Sequence, residues 1–257
     1  MKRLLLYFLL ILLLAAVGTF SYGFWNGKKV REFSSKISEI QEKHNLAERI
    51  EKVETGFQEN SKEEASQVKD DSQQFLAELK AIGQEAKAAK KEIEDLEAPR
   101  EAESAKNLAE EYYLKLAQEA DDLEGIISYT SQMVEAASFF EEIKENSSLD
   151  ELKNLIGLSR EKTSAIEIDS LPPALQEEAQ NLKESMNSFL LRLEDMVALR
   201  SENTAEVEAS YADFSQKESE FFRNAKKYIG EMENLKGIEE RIKADMERLE
   251  KVKFSLR

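Results

Sequence analysis

The sequence predicts an all-α protein: an N-terminal transmembrane helix followed by an elongated antiparallel three-helix bundle or coiled coil. Three observations carry this. Residues Leu4 to Trp25 form one uncharged apolar and aromatic run. The rest is rich in charged residues, 34% of the chain, with only three prolines and nine glycines. Its apolar residues recur at three- and four-residue spacing, the period of one helix face. Acidic disordered tails lack such periodicity.

The first element is the apolar run. A helix needs about 20 residues to cross the hydrocarbon, and Leu4–Trp25 supplies that length. Phe20, Tyr22, Phe24 and Trp25 read as an aromatic belt at the headgroup level, with Lys28 and Lys29 just beyond it. These six are the predicted membrane-interface residues. A cleaved signal peptide is the rival reading: Met1-Lys2-Arg3 resembles a basic leader and Leu4–Val17 its apolar core. The best cleavage triplet, Ser21-Tyr22-Gly23, is crowded by aromatics, which favours an uncleaved anchor over a secreted product. With no cysteine in the chain, a lipid-modified cysteine is excluded. Basic residues flank both ends of the run, so orientation is nearly balanced. The leader-like order places the body outside the cytoplasm, in the cell envelope, with a cytoplasmic body as the alternative.

Charge bounds the partners. The chain carries −16, and residues 1–31 hold five cations and no acid, which leaves −21 on the remainder. Such a body is repelled by phosphate backbones, so nucleic acid is not an expected partner.

The domain division is 1–27 for the anchor and 28–257 for the helical body, with helical segments about 28–97, 100–165 and 172–256. In the first segment Val30, Phe33, Ile37 and Ile40 make one stripe. Leu46, Ile50, Val53 and Phe57 make another, slipped by about one residue. A break is possible at 55–62, where Gly56 weakens the helix and Ser61-x-x-Glu64 reads as a capping box. Ala65 to Leu96 is a heptad seam, which Ala98-Pro99 ends. The second segment runs Ala105, Leu108, Tyr112, Leu116, Leu123, Ile126, Ile127, Met133, Val134, Ala137 and Phe140. It weakens at Asn146-Ser147 and restarts through a second capping box, Ser148-x-x-Glu151. Thr163 to Pro173 is a loop, and Ser170 before Pro172-Pro173 is a helix start. From Leu175 to Leu256 a four-three ladder continues without a register break, although Ser201-Glu202-Asn203-Thr204 could turn. Extra turns near 58–61 and 201–204 would give the alternative fold, a shorter four-helix bundle.

Folding the chain about residue 99 would set Ile82 near Leu116 and Phe75 near Leu123. In outline this resembles membrane-anchored spectrin-like proteins such as bacterial septation-ring regulators, in architecture only and with at most one repeat where those have many.

Candidate chemistry is sparse. His44 is the only histidine and reads as a boundary residue, because a zinc site without cysteine would need mostly carboxylates. Acid doublets such as Glu110-Glu111 and Asp121-Asp122 point about 100° apart on a helix, so they read as solvated faces. The aromatic doublets Tyr112-Tyr113, Phe139-Phe140 and Phe221-Phe222 are sharper. One ring of each lies on its stripe, and the second either widens the core or stands exposed as a partner site. No cofactor, metal or catalytic group is expected.

The functional expectation is a non-enzymatic, membrane-anchored scaffold, spacer or protein-docking module. The alternative is a ligand-sensing or substrate-binding helical domain; with three residues before the apolar run, its output would need a membrane partner. A partner protein or self-association is expected at the basic C-terminal tip, through Arg248, Leu249, Lys251, Val252, Lys253 and Leu256. In the three-segment fold that tip overhangs the Pro99 end, far from the membrane.

Overall fold

The computed structural model describes residues 28–60, 65–143, 147–198, 204–231 and 235–251. Among these every regular element is helical: α1 (28–44), α2 (Leu46–Asn60), α3 (Ala65–Glu94), a 3-10 turn (Arg100–Ala102), α4 (Glu103–Ala137), the one-turn α5 (Phe139–Glu142), α6 (Leu149–Ala165), α7 (Pro173–Val197), α8 (Thr204–Glu231) and α9 (Leu235–Lys251). None is long and apolar enough to cross a membrane. The apolar run and its aromatic belt lie outside the described residues.

The helices form two compact units. The first combines α1, the end of α3, the start of α4 and α9; the second takes α2, the rest of α3 and α4, and α5 to α8.

In the first unit, Val30, Phe33, Ile37 and Ile40 bury the predicted face of α1. The helix stops at Asn45, which has φ 40°. Asparagine tolerates this left-handed conformation better than other side chains. The one-residue slip between the two stripes is this break. α1 packs antiparallel to α3, with Lys43 3.2 Å from Glu92 and His44 3.1 Å from Glu85. The single segment 28–97 is therefore corrected: the chain turns back between α1–α2 and α3. Gly56 does not break the helix, since α2 continues to Asn60. The capping box at Ser61 lies outside the described residues.

Past α3 the chain runs on through Asp95–Pro99 without helix. Lys106 of α4 reaches back to the free carbonyls of this segment, donating to Glu94 O at 2.7 Å and Leu96 O at 2.8 Å. A lysine there satisfies acceptors that the helix end leaves open. Because the connection continues past α3, α4 starts beyond its end and the pairing shifts. In the second unit Gly83 faces Ala120 and Asp121, about five residues on from the register expected of a hinge at residue 99.

The second unit is built around α4, which is buried on several sides. Leu123, Ile126 and Ile127 lie on the predicted stripe, while Ala120, Tyr129 and Thr130 are buried off it. A helix enclosed by neighbours has no polar back. α6 starts at the predicted capping box: Ser148 N–H donates to Glu151 Oε2 at 2.7 Å, and Glu151 N–H donates to Ser148 Oγ at 3.2 Å. It runs antiparallel to α4, with Ser159 Oγ donating to Ala136 O at 2.5 Å. The loop at 166–172 buries Ile166 and Leu171, and α7 opens on Pro172-Pro173 as expected.

The single segment 172–256 is also corrected. Arg192 of α7 lies 3.3 Å from Glu206 of α8, and Asn224 of α8 donates to Glu178 of α7 at 3.2 Å. Residue numbers rise on one helix as they fall on the other, so α7 and α8 are an antiparallel pair. The unbroken ladder records which face is apolar. It does not record whether the helix is continuous.

Candidate functional site

Of the predicted membrane-interface residues, Phe20, Tyr22, Phe24 and Trp25 lie outside the described residues. Lys28 and Lys29 are exposed at the start of α1, where Lys28 sits 3.6 Å from Glu32. Lys29 and Lys36 share a groove with Asp95 and Pro99, so the Pro99 turn lies beside the start of α1.

α9, which leads into the predicted C-terminal tip, lies differently from the expectation. α9 runs antiparallel to α4 in the first unit: the charge of Glu239 reaches Tyr113 and that of Arg241 reaches Glu111. Its far end meets the 3-10 turn at Arg100–Ala102. The end of α9, the Pro99 turn and the first turn of α1 therefore share one end of the first unit. The expectation of a tip remote from residue 28 fails because α1 and α3 are separate antiparallel helices. Arg248 is exposed; Leu249 and Lys251 belong to α9; Val252, Lys253 and Leu256 lie outside the described residues.

His44 is half-buried at the α1–α3 contact. Its Nδ1 is 3.1 Å from Glu85 Oε2, and its Nε2 is buried with no hydrogen-bond partner. The acid doublet at 121–122 diverges as helix geometry requires. Asp121 faces Gly83, while Asp122 accepts a 2.8 Å hydrogen bond from the Tyr228 hydroxyl. Burial raises the Asp122 carboxyl above its ordinary value, opposed by that hydrogen bond. Among the described residues no group of three or more histidine, cysteine or acidic side chains is placed to hold a metal.

The aromatic doublets resolve into both expected outcomes. Tyr112 and Tyr113 are both buried in the first unit, their rings edge to face at 5.0 Å. In the other two doublets one ring is buried and one stands out: Phe221 is buried beside Phe222 at 36% exposed, as the stripe predicts, but Phe139 is buried beside Phe140 at 39% exposed, which corrects the stripe position given to Phe140. The fold brings the two outer rings together. Phe140 and Phe222 both line a cleft of about 230 Å³ in the second unit, between α4–α5, α7 and α8.

Rings crowd both walls of this cleft. On one side Tyr129 and Phe221 lie 4.8 Å apart, with Phe222 5.8 Å from Phe221. On the other, Phe140 stacks on Phe189 at 5.8 Å, and Phe189 on Phe214 at 6.2 Å. The Tyr129 hydroxyl donates to Ala179 O at 2.8 Å, which fixes its ring and ties α4 to α7. Parallel alignment of α4 with α7 and antiparallel alignment with α8 carry these rings to one level.

Two polar groups also line the cleft. Thr130, 5% exposed, holds its Oγ1 buried with no hydrogen-bond partner. Glu218 is half-buried, and burial raises its carboxyl above the ordinary value. Neither group carried a sequence signal. Thr130 sits off the predicted stripe, and Glu218 is one acid among many on α8. The doublets did carry one, although the ring left over beside the stripe was the outer one only for Phe222.

No protein-family model, curated protein or solved structure matches this chain.

Proposed function

We propose that this chain is a single-pass membrane protein whose helical body serves as a non-enzymatic scaffold, spacer or docking module in the cell envelope. The observation that carries this reading is the uncharged run Leu4–Trp25, which has the length of a hydrocarbon crossing and ends just before α1. In this reading residues 1–27 are the transmembrane helix and 28–257 an antiparallel helical bundle outside the cytoplasm. The exposed cations at the start of α1 suit a headgroup boundary. The end of α9 lies at the same end of the first unit as the start of α1, so in this reading a partner docked on α9 would lie close to the anchor.

A second reading is favoured by one feature, the ring-lined cleft of the second unit. Concave apolar sites with a few polar groups are the usual form of ligand pockets. The body would then be a ligand-binding or sensing domain acting with a membrane partner.

Cross-linking in the native membrane, read by mass spectrometry, tests the scaffold reading. A scaffold gives reproducible cross-links from the body to one or a few other proteins. Cross-links confined to the chain itself contradict it.

A further inference from the structure

We propose that the cleft between α4, α7 and α8 binds a small alkylammonium or quaternary ammonium cation. The inference gives chemical content to the ligand-binding reading and rests on it, but does not depend on how the chain is anchored.

Size comes first. The cleft holds about 230 Å³, whereas an apolar cavity of about 150 Å³ already admits benzene. A compact organic molecule fits; a helix does not. The walls come second. Phe140, Phe214, Phe221 and Phe222, with Tyr129, surround the space. Aromatic faces carry negative potential and attract cations, most strongly where water is excluded. A quaternary ammonium also presents methyl groups that such walls can bury.

Charge selects among apolar ligands. Among the described residues Glu218 is the only acidic or basic side chain lining the cleft. It makes no hydrogen bond or ion pair recorded among the described residues, and burial penalises its charged form. The adjacent Lys217 is engaged elsewhere, 3.2 Å from Glu220. A half-buried carboxylate with no counter-ion is a standing cost that a bound cation removes. Carboxylate or phosphate ligands would add repulsion to that cost. The net charge of −16 raises the local concentration of cations and lowers that of anions.

The test uses the full chain in a non-ionic detergent, with choline as the cationic probe and 3,3-dimethylbutan-1-ol as its neutral isostere, both titrated calorimetrically. The expected result is saturable choline binding at one site, with the neutral isostere about tenfold weaker or more. Glu218→Gln should weaken choline by a similar factor without changing the isostere. Phe222→Leu, which keeps an apolar side chain but removes the ring, should weaken choline several-fold. It serves as the second variant if Glu218→Gln disturbs the fold. Equal binding of the two probes overturns the cation assignment but leaves a ligand site. No binding of either probe to the folded chain overturns the cation assignment and the ligand-binding reading together. Choline affinity unchanged in both variants also overturns the proposal, since the probe would then bind elsewhere.

Discussion

The carbonyl of Ser170 rests against Gly125 where a side chain would otherwise stand. A methyl group built on Gly125 would fall on that oxygen and lie 2.9 Å from its carbon. The loop between α6 and α7 can therefore pack directly on α4. In an open helix, Gly→Ala gains about 1 kcal/mol. Here the clash is with backbone, which cannot rotate away. Gly125→Ala should therefore destabilise the body by about 2 kcal/mol, measured by denaturant unfolding followed by circular dichroism. A stabilised variant would show that the loop does not pack there.

Asn45 makes a second backbone prediction. Its φ of 40° costs a β-branched residue about 1–2 kcal/mol and glycine nothing. Asn45→Val should lower stability by that amount, while Asn45→Gly should stay within about 0.5 kcal/mol of the parent. The order would reverse, with glycine the costlier, if α1 and α2 were one continuous helix.

The contrast between these sites shows what the sequence made legible. The left-handed break at Asn45 was visible as a slip between two apolar stripes, because a change of helix direction moves the buried face. The Ser148 cap and the Pro172-Pro173 start were visible because their chemistry is local. The reversal between α7 and α8 was not visible, since helices on either side of a turn can keep the same apolar period. Treating 28–97 as one helix hid the return of the chain at α3 and so put the Pro99 turn at the wrong end. At the cleft, Phe222 was legible as a surplus ring, whereas Phe140 read as the stripe ring of its doublet and Phe139 as the surplus, the reverse of what the structure shows. The meeting of Phe140 with Phe222 depends on α4–α8 register, which no single helix pattern contains.

Ser148 and Glu151 satisfy each other's backbone N–H groups at the start of α6. Ser148→Ala removes one acceptor and should cost about 1 kcal/mol, with faster amide exchange in the first turn of α6. Unchanged exchange in that turn would mean that the cap contributes nothing in solution.

Three tyrosines set an alkaline limit. Burial pushes the Tyr129 phenol well above its ordinary value of 10.0. Burial, then the charges of Glu239 and Glu92, do the same for Tyr113. Burial, then the hydrogen bond and charge of Asp122, push Tyr228 up to about 12. Above about pH 10 the unfolded chain releases these protons while the folded chain keeps them, so stability falls as pH rises. Below that pH both states hold them, and these groups contribute no slope. Phenolate absorbance should show these three ionising only as helicity is lost. Normal titration of all seven tyrosines in a folded chain would contradict their burial.

The most direct measurement of the central claim is alkaline extraction of native membranes carrying the full chain, followed by mass analysis of its N-terminus. Extraction releases proteins held by surface contacts, but a hydrocarbon-spanning helix stays whether or not the attached body unfolds. The account predicts that the protein remains in the membrane fraction with residues 2–25 attached. A soluble protein beginning near residue 24 would contradict it and establish the apolar run as a cleaved signal peptide.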